Sequence, residues 1–118
     1  CAFTPTCSKQ HLPGFVANAD KIKAKGIDAI ACTAVNDVFV MDAWGKDQDA
    51  GDDVLMLADG NGTYTEALGL ELDATSFGMG HRSQRFALIA EDGVVTGLFV
   101  EGPGEFRVSS AEHVLSQL

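Results

Sequence analysis

The sequence predicts an α/β fold, with a central mixed sheet flanked by helices. Three observations carry this. Helical and strand-like segments alternate through the first half of the chain, a hairpin signal follows near the C-terminal end, and a short helix closes it. Strands alternating with helices imply parallel pairing, and the hairpin adds antiparallel strands. Hydrophobic residues at 46% against 21% charged, over 118 residues, give the balance of a globular chain that is neither disordered nor fibrous. At this length the chain is read as one domain spanning residues 1–118.

The first helix is placed from Thr6–Ser8 to Lys25, because Leu12, Phe15, Val16, Ala19 and Ile22 recur at helical spacing on one face. Pro13 and Gly14 should bend its first turns, and Gly26 is a natural stop. Ile27–Val35, rich in β-branched residues, reads as a buried strand. Asn36 or Asp37 can cap a second helix carrying Val38, Phe39, Met41 and Trp44, which runs into the acidic loop Asp47–Asp53. Val54–Ala58 is the next strand, closed by Asp59-Gly-Asn-Gly62, and Thr63–Leu68 is a helical turn. A polar, glycine-rich connector then leads to His81. Phe86–Ala90 and Val94–Val100 flank Glu91-Asp-Gly93, which reads as a hairpin. Ser109 or Ser110 caps a last helix with Val114, Leu115 and Leu118 on its apolar side. This order is that of a thioredoxin-like sandwich lacking the strand that should feed the first helix.

Charge and cysteine usage exclude several functions. Seventeen acidic against eight basic side chains give a net charge of −9, which argues against nucleic acid or an anionic membrane as partner. The longest apolar runs, such as Val54–Ala58 and Phe86–Ala90, fall far short of the ~20 residues of a membrane span. Cys1, Cys7 and Cys32 are odd in number and contain no C-x-x-C pair, so neither a disulfide scaffold nor a dithiol oxidoreductase is expected. His11, His81 and His113 are scattered, and no metal or organic cofactor is expected. A reducing, cytoplasmic compartment with one special thiol fits this usage.

The first eight residues, Cys1-Ala-Phe-Thr-Pro-Thr-Cys-Ser8, carry the chemistry. Cys7 falls where a loop becomes the first turn of a helix, where free backbone N–H groups and the macrodipole favour a thiolate. Thr4 places a hydroxyl three residues away, and Pro5 stiffens the loop between them. By itself such a cysteine is usually inert.

The stretch Ala2-Phe-Thr-Pro-Thr-Cys-Ser-Lys-Gln-His-Leu-Pro-Gly-Phe15 resembles the active-site segment of the peroxiredoxins, and specifically the atypical type II (peroxiredoxin-5-like) subfamily. The family motif is Pro-x-x-x-Thr-x-x-Cys, and Thr4-x-x-Cys7 matches its second half. Further matches include Ala31–Asp37, Ala43-Trp-Gly45, Leu57-Ala-Asp59, Arg82–Leu88 and Glu91–Val94, so the resemblance runs the length of the chain. It implies reduction of hydrogen peroxide or an alkyl hydroperoxide. Cys7 would be the peroxidatic nucleophile that becomes a sulfenic acid. Thr4 and the Cys7 N–H would hold the peroxide, and Arg85 would steady the thiolate and polarise the departing oxygen. Arg82 is the neighbour that could fill the same role. His11, four residues beyond Cys7, reads as a polar wall, while Trp44 and Phe39 read as core or dimer-contact aromatics.

The match departs from the family at two places. The motif proline should precede Cys1, which occupies a position that is usually glycine. The chain is therefore expected to begin inside the motif, without the N-terminal hairpin and strand, leaving neighbouring strands with unpaired edges. Cys1 is then a ligation-derived residue or a departure from glycine, and organellar targeting stays open. Second, the loop where internally resolving relatives carry a cysteine reads Phe106-Arg-Val-Ser-Ser110, and Cys32 falls in an apolar strand. The resemblance thus implies a one-cysteine peroxidase, recycled by glutathione with glutaredoxin or by thioredoxin, and a homodimer. A redox sensor or binding module of thioredoxin fold is the alternative, and has less need of Thr4 and Arg85.

Overall fold

The computed structural model describes all residues, 1–118. The predicted first helix divides into three pieces. A π-helical turn (Cys7–His11) passes into α1 (Leu12–Ala17), and α2 (Ala19–Ala24) follows a break at Asn18. Pro13 is the physical cause of the first irregularity, because it has no N–H to return to the preceding turn. The ladder widens there, and the Leu12 N–H reaches back to the Cys7 carbonyl. Leu12, Ala19 and Ile22 are buried, with Phe15 and Val16 packed against the same core. Gly26, at φ +97°, ends the segment as predicted.

The expected strand over Ile27–Val35 shortens to β1 (Ala31–Ala34), which pairs in parallel with β2 (Leu55–Ala58). Between them lies α3 (Val38–Asp47), capped by Asp37, whose carboxylate accepts from the Val40 N–H at 2.8 Å. Met41 and Trp44 on α3 are almost fully buried, and burying side chains of this size contributes ~1.5–3 kcal/mol each. After α4 (Thr63–Leu68), the predicted connector is instead a second hairpin. β3 (Glu71–Ala74) pairs with β4 (Gly80–Ser83), bridged by the 3₁₀ turn Thr75–Phe77. Glu71-Leu-Asp-Ala74 alternates, but over four residues only, and Gly80-His-Arg-Ser83 has no apolar side chain to answer it, so the pair is too short and too polar to be recognised as strands.

β5 (Phe86–Glu91) and β6 (Val94–Val100) form the predicted hairpin. Its turn puts both Asp92 and Gly93 at positive φ, 51° and 79°, the geometry that matches the strand twist. α5 (Ala111–Ser116) is capped by Ser110, one of the two serines predicted for that role.

These elements make a thioredoxin-like α/β fold. The expected central sheet is present in this chain as three separate two-stranded ladders, β1 with β2, β3 with β4 and β5 with β6, and the first and last of them share one cleft of about 1130 Å³. Its walls include Ala31–Ala34 of β1 and Phe86–Ala90 of β5, and its lining also holds Thr4, Cys7, His11 and Arg85. No helix is long and apolar enough to cross a membrane.

Candidate active site

The segment ahead of Cys7 is tied down before its helix begins. The Ala2 N–H donates to Asn36 Oδ1 at 2.9 Å, fixing this end of the chain to the turn after β1. Phe3 takes φ 62°, a left-handed conformation that costs a residue with a Cβ roughly 1–2 kcal/mol. That reversal lets the Thr4 hydroxyl donate to the Cys1 carbonyl at 2.6 Å. A hydroxyl has one proton that rotates between acceptors, so Thr4 Oγ1 can serve the Cys1 carbonyl or the Cys7 sulfur with it while its lone pairs accept from a third group. Helical geometry starts at residue 5, and Cys7 sits in its first turn.

Two donors lie close to the Cys7 sulfur. Arg85 Nη1 is 3.1 Å from Sγ, and the α-ammonium of Cys1 is 3.5 Å from it. Arg85 stands just before β5, with its backbone neighbours held on both sides. The Gln84 N–H donates to the Leu70 carbonyl, and the Arg85 carbonyl accepts from the Glu101 N–H. Its guanidinium lies 5.8 Å from the centre of the Phe106 ring, within cation–π range. Its Nη1 is also 3.5 Å from His11 Nδ1. On its other side, His11 Nε2 meets the Ser109 carbonyl at 3.0 Å. The Ser109 carbonyl thus fixes the orientation of the ring, with Nδ1 turned toward the Arg85–Cys7 pair.

The surroundings set the charge of the thiol. Burial alone pushes Cys7 up. Against it, in decreasing order, His11, the Cys1 α-ammonium, the Thr4 hydroxyl and the Arg85 charge pull it down, to about 5. Cys7 is therefore largely a thiolate at neutral pH.

The other sequence candidates fall elsewhere. Arg82 donates from Nε to the Met79 carbonyl at 2.8 Å and from Nη1 to the Val35 carbonyl at 2.7 Å. It braces β4 against the end of β1, so of the two arginines it is Arg85 that contacts the sulfur. Cys32 lies in β1, in register with Met56, and burial pushes its thiol up to about 11. Trp44 is core, and its indole N–H donates to Ser8 Oγ at 3.1 Å, beside the reactive turn. Phe39 and Phe77 are 82% and 77% exposed. No group of three or more His, Cys, Asp or Glu side chains is arranged to hold a metal ion.

Three residues of the site escape sequence reasoning. Phe106 meets the edge of His11 with ring centres 5.5 Å apart, Ser109 supplies the carbonyl that orients His11, and Glu101 anchors the loop carrying both. Phe106 and Ser109 lie about a hundred residues from Cys7 in a loop without periodicity, and only an acid at the end of an apolar strand hints at the third.

A cysteine thiolate at a helix start, an arginine in contact with it and a hydroxyl nearby describe a thiol-redox site on a thioredoxin-like scaffold. The family model described as Redoxin matches residues 1–115, and the chain belongs to that family. Within it the chain sits among the type II peroxiredoxins. It is 54% identical over 119 residues to Peroxiredoxin-2E, chloroplastic, of Arabidopsis thaliana, covering 99% of this chain and 51% of that protein. It is 55% identical over 117 residues to Peroxiredoxin-2D of the same plant, covering 99% and 72%. The chain thus spans about half of the first relative and nearly three quarters of the second. The solved structure of reduced Prx3 of Vibrio vulnificus in complex with hydrogen peroxide superposes with a TM-score of 0.96 at 57% identity, covering 100% of this chain and 76% of that one.

Proposed function

We propose that the chain carries the catalytic centre of a thiol-dependent peroxidase that reduces hydrogen peroxide and alkyl hydroperoxides. The observation that carries this reading is the Arg85 Nη1–Cys7 Sγ contact of 3.1 Å around a thiol held at about 5. The Cys7 thiolate attacks the terminal peroxide oxygen in line. The S–O bond forms as the O–O bond breaks, the two bonding electrons leave with the distal oxygen, and that oxygen takes a proton as water or alcohol. Thr4 Oγ1 accepts from the peroxide O–H. The Cys7 N–H and the Arg85 guanidinium stabilise the charge that develops on oxygen.

The product is a sulfenic acid on Cys7. An outside thiol condenses with it, releasing water and forming a mixed disulfide, and a second thiol frees Cys7. Glutathione with glutaredoxin, or thioredoxin, is the proposed source. Cys32 stays out of this cycle, because a thiol raised to about 11 supplies almost no thiolate at neutral pH. The exposed Phe39 and Phe77 support a homodimer that covers them, in a reducing compartment of the cell.

The test is turnover of peroxide with dithiothreitol or with glutathione and glutaredoxin. Many reductions per protein are expected, abolished by Cys7→Ser and largely retained by Cys32→Ser. A single stoichiometric oxidation would make the chain a sensor, and equal losses in the two variants would put Cys32 in the cycle.

A further inference from the structure

The carboxylate of Glu101 is buried, yet it touches none of the reacting groups of the proposed mechanism. One oxygen, Oε2, accepts three hydrogen bonds: from the Arg107 N–H at 2.7 Å, the Ser109 N–H at 2.8 Å and the Ser109 hydroxyl at 2.6 Å. Its backbone N–H donates at 3.0 Å to the carbonyl of Arg85. One residue therefore joins the strand end that carries the arginine to the loop that carries Phe106 and Ser109. That loop meets the site twice. The Phe106 ring lies against both the Arg85 guanidinium and the His11 edge, and the Ser109 carbonyl receives His11 Nε2.

We propose that Glu101 is the positioning residue of the thiol site, locking residues 107–109 so that Phe106 and the Ser109 carbonyl hold Arg85 and His11 in place at Cys7. An apolar side chain could fill the same volume, but it could not satisfy two backbone N–H groups and a hydroxyl that face the same point. Buried donors left without an acceptor are costly, and the loop would move to find water. Ser109 is itself wholly buried, so the loop has no solvent-facing alternative at that position. His11 is the largest of the influences that lower the Cys7 thiol, and it is the side chain the loop grips directly. The hydrogen bonds also hold the Glu101 carboxyl down at about 2, so the lock stays ionised throughout the range in which Cys7 titrates.

The inference rests on the peroxidase reading for its functional meaning, but its main readout needs no peroxide. Glu101→Leu and Ser109→Ala are compared with the unmodified chain by the pH dependence of Cys7 alkylation, by stopped-flow oxidation and by thermal unfolding. A displacement of His11 and Arg85 by about an ångström should slow Cys7 oxidation roughly 10- to 100-fold in Glu101→Leu. The alkylation midpoint should move upward in both variants, further in Glu101→Leu. Glu101→Gln, whose amide oxygen can still accept from all three donors, should recover most of the shift. A lowered melting temperature with an unmoved alkylation midpoint in either Glu101→Leu or Ser109→Ala overturns the proposal, leaving Glu101 a purely structural acid. If Glu101→Leu does not fold, Ser109→Ala decides alone by the same midpoint. Should the midpoint move while the unmodified chain shows no peroxide turnover, the positioning role stands and the peroxidase reading falls.

Discussion

Cys7 and Cys32 are the same chemical group, both largely withdrawn from water, yet one thiol is lowered to about 5 and the other raised to about 11. For both, burial is the largest influence and it raises the thiol. The difference lies in what each sulfur meets. Around Cys7, His11, the Cys1 ammonium, Thr4 and Arg85 all favour the charged form and together outweigh burial. Around Cys32, in the β1 strand beside Met56, only the distant ammonium helps, and the Cys7 charge opposes it. Reactivity in this fold is thus written by groups converging on the sulfur from two stretches of chain, the turn around Cys7 itself and Arg85 far along the sequence. Depth alone would have silenced both cysteines.

The largest test of this contrast removes one of the converging donors. Arg85→Gln should slow peroxide attack on Cys7 by roughly 100- to 1,000-fold, the ~2.7–4 kcal/mol typical of a lost contact aimed at developing charge. Its effect on the Cys7 midpoint should be small by comparison, because Arg85 is the least of the influences lowering that thiol. Arg85→Lys should restore only part of the rate, since an ammonium lacks the planar fork. Arg82→Gln is expected to behave differently. It removes two hydrogen bonds to the Met79 and Val35 carbonyls, so it should lower stability by ~1.5–3 kcal/mol and leave the Cys7 midpoint where it is. Stopped-flow rates and denaturant midpoints for the three variants decide the matter. A rate loss confined to Arg82→Gln would reverse the assignment of the arginines.

This division between legible and illegible parts follows from chain separation. The α/β class, the Glu91–Val94 hairpin, the Asp37 and Ser110 caps and the stop at Gly26 each rest on residues within a few positions of one another, and each is present in the structure. The β3–β4 hairpin is not legible, because the alternation in Glu71–Ala74 spans only four residues, Gly80–Ser83 has none, and it is their pairing that makes them strands. The division of the first helix was half legible. Pro13 announces a distortion, but not that it takes the form of a π turn through Cys7. At the site, Thr4-x-x-Cys7 is local and resembles a known motif, whereas choosing Arg85 over Arg82 required the family pattern. Phe106, Ser109 and Glu101 answer to no local rule, since their meaning lies in a loop folded back across about a hundred residues.

A second test uses the two thiols as each other's control. At pH 7, values of about 5 and about 11 leave the Cys7 thiolate fraction about 10⁴ above that of Cys32. Thiolate nucleophilicity falls with pKa, and over six units this returns about two and a half to three powers of ten. Iodoacetamide should therefore label Cys7 roughly 10- to 40-fold faster at pH 7, before differences in access. The preference should widen nearly tenfold at pH 6, where Cys7 stays largely ionised and the Cys32 thiolate falls by another power of ten. Peptide mapping after partial labelling measures the ratio. Equal rates, or a ratio that does not grow as the pH drops, would erase the contrast between the two sites.

The smallest expected effect comes from the one charge that both cysteines share. The Cys1 α-ammonium lies 3.5 Å from Cys7 Sγ and lowers both thiols. Acetylating it, or continuing the chain upstream of it, keeps an N–H donor and removes the charge. Both alkylation midpoints should then rise, that of Cys7 further because its sulfur is in contact. Stability should follow with a definite sign. A thiol lowered from its ordinary 9 to about 5 means that the folded chain binds fewer protons than the unfolded one between those values. Stability therefore rises with pH across that window, by at most ~1.4 kcal/mol per pH unit, and this gain disappears as the pH falls through about 5. Raising the Cys7 midpoint closes the window from below, so the acetylated chain should begin its rise at a higher pH. Cys32 works in the opposite sense between 9 and about 11, where the folded chain holds the extra proton and stability falls as pH rises. Urea midpoints measured from pH 4.5 to 7.5 on the free and acetylated chains should coincide at the acidic end and separate as the pH rises through the two Cys7 midpoints, with the free chain the more stable. Superimposable curves would mean that His11, Thr4 and Arg85 hold the thiolate without the ammonium.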